Sequence, residues 1–133
     1  MDLTMKLELV PVPVSDVDRG KTFYGDKLGF VADVDVEPAP GVRIVQLTPP
    51  GSACSIVLST GLGGLADMTP GTIRGLHLVV DGLEAARDEL IGRGVEVGGI
   101  DDVGGGVRYA AITDPDGNGF VLQEMSWRTG DAY

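Results

Sequence analysis

Apolar and polar positions along this chain change rhythm in a set order, and the order occurs twice. Residues 6–14, KLELVPVPV, form a short apolar run whose prolines at 11 and 13 suit an edge or interrupted strand. The rhythm then lengthens over 15–28, SDVDRGKTFYGDKL, where Val17, Gly20, Tyr24 and Leu28 share one face of a helix. Ser15 with Asp18 three residues on marks the start of that helix, and Gly29 its end. Three strand-like runs follow, FVADVDVE (30–37), VRIVQLT (42–48) and CSIVLS (54–59), parted by the turn sequences PAPG and PPGSA. The stretch TGLGGLADMTPGT (60–72) is rich in glycine and punctuated by Pro70, as befits a linker or a loop over a site.

The same order then returns. IRGLHLVV (73–80) reads as a strand, and DGLEAARDELIGRG (81–94) as a helix with Leu83, Ala86 and Leu90 on one stripe. Asp81 with Glu84 caps this helix and Gly94 stops it. VEVGGI (95–100), VRYAAIT (107–113) and FVLQEMSW (120–127) are the next three strands. A constant offset of 66 relates Val14 to Val80, Val17 to Leu83 and Asp18 to Glu84. The predicted fold class is therefore α+β, two tandem βαβββ modules spanning 6–60 and 73–127, with a Gly-rich linker at 61–72 and a tail at 128–133.

Bulk properties narrow the setting more than the chemistry. A chain of 133 residues buries roughly two thirds of its unfolded surface, enough for one independent domain over 1–133. A net charge of −10 speaks against nucleic acid or an anionic membrane as partner, because both call for basic patches. Cys54 is the single cysteine, so no intramolecular disulfide and no CxxC site is expected. The start MDLTMKLELV lacks a basic stretch followed by an apolar core, and no apolar run approaches the ~20 residues of a membrane span. The expected location is the cytoplasm. The glycine runs at 63–64 and 104–106 lack the strand-to-helix context of a phosphate site. Asp101, Asp102, Asp114 and Asp116 lack calcium-loop spacing and read as solvated turns.

The duplicated modules, VPVSDVDRGKTFYGDKLGF near the start and DPDGNGFVLQE near the end together resemble the vicinal oxygen chelate superfamily. That family includes glyoxalase I, extradiol dioxygenases, and fosfomycin- and bleomycin-resistance proteins. The resemblance covers residues 6–127 and implies curved sheets enclosing a cavity, in a protein that acts as a homodimer. In the metal-using members one ligand lies seven residues before Asp16, which is Leu9, and the repeat offset gives Gly75. The strand after the DPDG turn gives Val121, and its first-half counterpart is Val57. None of these four side chains offers an oxygen, nitrogen or sulfur, so no metal and no other cofactor is expected. An atypical set of Glu8, His77 and Glu124 is the alternative, opposed by strand alternation, which turns both glutamates away from the cavity face.

Alternation under the family geometry nominates a ligand pocket of Leu9, Pro11, Val57, Ser59, Gly75, His77, Val121 and Gln123, with Gln46, Tyr109 and Arg108 as further candidates. Such a lining is mostly apolar with a few polar groups to orient a small molecule. His77 is expected to be a hydrogen-bonded histidine in a barrel-like core, with ligand orientation and general-base catalysis as alternatives. Phe23 and Tyr24 should pack the first helix on its sheet, and Cys54 should be buried among apolar groups. The functional expectation is a binder of a small organic molecule, like the bleomycin-resistance members. A net negative field would favour the encounter with a cationic ligand. The alternative is an enzyme, either with atypical metal ligands or as a metal-free lyase or isomerase built on His77.

Overall fold

In the computed structural model, which describes residues 3–127, the chain divides into two compact units that part between Thr72 and Ile73. The first unit runs β1 (Leu9–Pro11), α1 (Val17–Lys21), a π-helical turn (Thr22–Lys27), β2 (Val31–Ala39), β3 (Val42–Thr48) and β4 (Ser55–Thr60). Its sheet has the order β1-β4-β3-β2, with β1 parallel to β4 and the other neighbours antiparallel. Helix α1 lies on the face of the sheet that carries Val45, Leu47, Ile56 and Leu58, all buried. Its approach to β4 is close: a Cβ built on Gly20 would stand 2.8 Å from the Leu58 side chain. Phe23 and Tyr24 are buried as expected, their rings 5.1 Å apart edge to face.

The helix starts one residue later than the sequence suggested. Asp16, in extended backbone, accepts from the Arg19 N–H at 3.1 Å and is the N-cap, while Ser15 Oγ takes the Arg19 guanidinium instead. Only Val17–Lys21 is α-helical, because the ladder widens so that the Leu28 N–H reaches back to the Phe23 carbonyl. That wider turn keeps the adjacent Phe23 and Tyr24 both buried.

The second unit repeats the plan with β5 (Leu76–Val79), α2 (Leu83–Gly92), β6 (Asp101–Gly104), β7 (Val107–Thr113) and β8 (Gly119–Met125). Its sheet order is β5-β8-β7-β6, the same path as in the first unit, with β5 parallel to β8. Helix α2 sits on the face bearing the buried Ala110, Ile112, Phe120 and Leu122. The expected strand at 95–100 is a correction: only Val97 bridges to Ile112, and the second strand of the unit is Asp101–Gly104. Apolar alternation in VEVGGI misled, because Gly98 and Gly99 interrupt it and Val95 is buried without ladder pairing. Asp101 and Asp102 are thus strand residues, opposite Tyr109 and Arg108.

The cap of α2 is a second correction. Gly82 is the N-cap and donates no side chain, and the Leu83 N–H is instead met by Glu124 Oε1 from β8 at 3.2 Å. The segment between the units also has structure of its own, a 3₁₀ turn at Gly63–Asp67. Among the described residues, no helix is long and apolar enough to cross a membrane.

Candidate functional site

In each unit one sheet face is covered by a helix, so the other face is where a ligand can be met. Strand pairing places Leu9 opposite Ser55, Pro11 opposite Val57, Val57 opposite Gln46 and Ser59 opposite Ile44. Opposed residues share a face. Leu9, Pro11, Gln46, Val57 and Ser59 therefore lie together on the helix-free face of the first sheet. Pro11, Val57 and Ser59 go further and line a groove of about 310 Å³. Leu9 and Gln46 stand on the same face outside that lining.

The groove's other wall comes from the segment after β4. Leu65, Ala66, Met68 and Pro70 line it, together with Val14 and Ser15 from the segment after β1. The Gly71 N–H holds this segment to the Pro13 carbonyl at 3.3 Å. Gly61 makes the turn over the β2–β3 loop with φ +66, and a Cβ there would stand 2.4 Å from the Gly41 carbonyl oxygen, so only glycine fits. None of the described lining residues is charged; the polar side chains are the hydroxyls of Ser15, Ser59 and Thr60. Leu65 and Met68 were missed as candidates, although their place in a stretch read as a loop over a site could have nominated them.

On the second sheet His77 is opposite Val121, and Tyr109 is opposite Gln123. These four share the helix-free face. Gly75 lies just before β5 with φ +77 and contributes only backbone. His77 departs from expectation: it is hydrogen-bonded but exposed, not sunk in a core. Its Nδ1 is 2.7 Å from the Gly75 carbonyl, and its ring meets Tyr109 edge to face at 5.6 Å. A carbonyl only accepts, so Nδ1 donates this hydrogen bond, and in a neutral ring Nε2 is then the lone-pair nitrogen.

Arg108 is a further correction, since it belongs to the opposite, helix-bearing face. Its guanidinium bridges Glu84 of α2 and Glu124 of β8. The Arg108 hydrogen bond, helped by a backbone N–H, holds the Glu84 carboxyl at about 2, well below the usual carboxylate value. The first unit has the counterpart, Arg43 of β3 joining Asp18 and Asp35. There the Arg43 hydrogen bonds, and then that of Lys21, lower Asp35 to about 2.

These contacts decide how the residues stand toward the family's metal. Leu9, Val57 and Val121 end in methyl groups and Gly75 has no side chain, so none can coordinate a cation. Glu124 is committed to Arg108 and the Leu83 N–H on the face opposite His77. Among the described residues no three His, Cys, Asp or Glu side chains gather as a metal site. The described side chains at these positions do not fit the metal.

The motif that most resembles the family, DPDGNG (114–119), is a latch. The buried Asp114 carboxylate accepts from the Asp116 N–H, the Asn118 N–H and the Asn118 amide. Fully buried Asn118 in turn accepts from the Ile73 N–H through Oδ1, so the turn that launches β8 also ties down the approach to β5. A profile of the Glyoxalase/Bleomycin resistance protein/Dioxygenase superfamily matches residues 6–122. The chain belongs to that superfamily. No curated protein sequence matches it. Among solved structures it is similar to TnmS3, an antibiotic binding protein from Streptomyces sp. CB03234, at 35% identity and TM-score 0.82, covering 95% of this chain and 100% of that one. A glyoxalase/bleomycin resistance protein from the same Streptomyces is 37% identical over 88% of this chain and 98% of its own, with TM-score 0.74. A superfamily member from Sphaerobacter thermophilus DSM 20745 is 30% identical over 91% and 98%, with TM-score 0.78.

Proposed function

We propose that this protein binds a small organic molecule and holds it unchanged, as a sequestering protein and not a metalloenzyme. The observation that carries the reading is the full-length similarity to a protein described as antibiotic binding, TnmS3. The groove supports it, its side chains being apolar apart from the hydroxyls of Ser15, Ser59 and Thr60, which can orient a guest, and at about 310 Å³ it falls at the lower end of ligand clefts. Leu9, Val57 and Val121, at three of the four family ligand positions, support it too, since their side chains favour apolar contact over coordination. The reading takes the chain as one cytoplasmic domain of two modules, 6–60 and 73–127, working as a homodimer. Light scattering on the purified protein tests the last point.

The test is titration calorimetry with a panel of antibiotics that includes metal-free bleomycin, followed by mass spectrometry of the recovered compound. Saturable binding with the compound recovered intact is the expected result. Val57→Trp, which fills the groove, is expected to remove that binding while the protein still melts cooperatively. A compound released in altered form would replace the binding reading with an enzymatic one. The observation that favours that second reading is the hydrogen bond from His77 Nδ1 to the Gly75 carbonyl, which in a neutral ring leaves Nε2 as the lone-pair nitrogen. In that case His77→Ala lowers turnover by ~10²–10⁴-fold, the usual share of a general base.

A further inference from the structure

We infer that residues 62–70 form a hinged strap that opens and shuts over the groove of the first unit, and that an apolar guest holds it shut. The guest rests on the proposed function; the hinged motion belongs to the free protein and stands without it. The strap carries Leu62, Leu65 and Met68 at intervals of three, around the 3₁₀ turn Gly63–Asp67. Three residues make one turn of such a helix, so these side chains stand in a row. All three are half-buried, whereas Gly63, Gly64, Ala66 and Asp67 are exposed, so the row is the inward side. Leu65 and Met68 line the groove, yet no residue of the turn is fully buried. A segment packed this lightly opens at a small fraction of the cost of unfolding the sheet beneath it.

The ends of the strap are built to bend. Gly61 is pinned over the Gly41 carbonyl, and the next left-handed residue, Gly63 at φ +47, has open space where a Cβ would stand. The far end turns at Gly71, φ +80, directly after Pro70. Between these ends the strap lies against the outer edge of β1, the edge strand of its sheet. The Val12 N–H donates inward to the Val57 carbonyl at 3.0 Å, and Pro13 turns its carbonyl outward to the Gly71 N–H at 3.3 Å. Alternate residues of a strand address alternate edges, so Pro11 shares the outer edge with Pro13, and neither has an N–H to offer. An ordinary edge, with donors and acceptors in turn, would zip the strap on as a further strand. This one presents carbonyls, so the strap is laid against it and not woven in. A guest on Val57 and Pro11 gives Leu65 and Met68 apolar surface to cover only when the strap is shut, which is the differential contact that shifts the equilibrium.

Amide hydrogen exchange on the full chain, followed by NMR, reads the strap before any guest is added. The Leu65 and Met68 N–H groups are the donors of the turn, to the Leu62 and Leu65 carbonyls at 3.0 and 3.2 Å. Both should exchange through one common opening, at least about tenfold less protected than the amides of β4. Leu65→Ala should speed exchange at Met68 about fivefold, because less apolar surface then holds the strap down. Gly64→Ala, whose new Cβ meets open space, should slow exchange at both amides about twofold to fivefold by restricting the open chain. Nile red, a neutral apolar dye, is the probe for closure. A saturable rise in its emission should come with slower exchange at both strap amides, and Leu65→Ala should hasten its release. Strap amides as protected as those of β4, or amides that the variants move independently, would overturn the strap. Nile red bound with strap exchange unchanged would overturn its closure over a guest. If Nile red and the antibiotic panel both fail to bind while the two variants shift exchange as expected, the groove reading falls and the hinged strap stands.

Discussion

At the residue scale the chemistry that the sequence advertised is spent on holding the backbone. Asp114 and Asn118 satisfy each other and the Ile73 N–H, so Asn118→Ala takes the side-chain partner from the part-buried Ile73 N–H and one hydrogen bond from the buried Asp114 carboxylate. A loss of about 2–3 kcal/mol is expected, measured as a lowered midpoint in urea unfolding. The Arg108 bridge makes a pH prediction. Glu84 and Asp35 have folded values near 2, below their ordinary 4.5 and 3.8. A carboxylate depressed on folding adds stability that is complete above its unfolded value and disappears as pH falls through the folded one. Stability should therefore decline between about pH 4.5 and pH 2. Arg108→Gln should return the Glu84 carboxyl toward 4.5 in a carbon-detected titration and flatten that decline, more visibly at low salt because Glu84 is exposed.

At the element scale, most of the path was readable and most of the ends were not. Strand β3 matches its apolar run residue for residue, because VRIVQLT is bounded by turns on both sides and buries alternate positions. The caps failed for a tertiary reason. Glu84 fits a local capping box in sequence, but Arg108 from β7 claims it, and a glutamate from β8 takes over the helix end. No local pattern contains that exchange. The π-helical turn is likewise set by two adjacent aromatic side chains that must both enter the core. Gly20 shows the same dependence on packing. As a helix interior residue it reads as a weakness, yet it is what lets α1 approach Leu58. Gly20→Val should cost about 1–3 kcal/mol in thermal or urea unfolding through overpacking, despite the better backbone propensity.

At the scale of the whole molecule, the repeat was the most legible feature, because an offset of 66 across several positions cannot arise from local propensity alone. Two sheets with the same strand order, and an arginine of the third strand bridging two carboxylates in each unit, are its structural form. The site was legible only by face. Alternation sorted Val57 from Leu58 and Val121 from Glu124, but it could not say that a loop segment closes a groove. The electrostatics of the molecule then separate how fast a ligand arrives from how well it stays. A net charge of −10 attracts cations from a distance, and that attraction is screened over about 10 Å at 0.1 M salt. The groove itself has no charged side chain among its described lining residues, so contact there gains little from charge. Between 20 mM and 500 mM salt, a cationic compound that occupies the groove should lose association rate in stopped-flow mixing while its dissociation rate holds nearly constant. A neutral compound of similar size should change in neither. A dissociation rate that climbs steeply with salt would mean that the cation is held by carboxylates, and that the site lies elsewhere than in the groove.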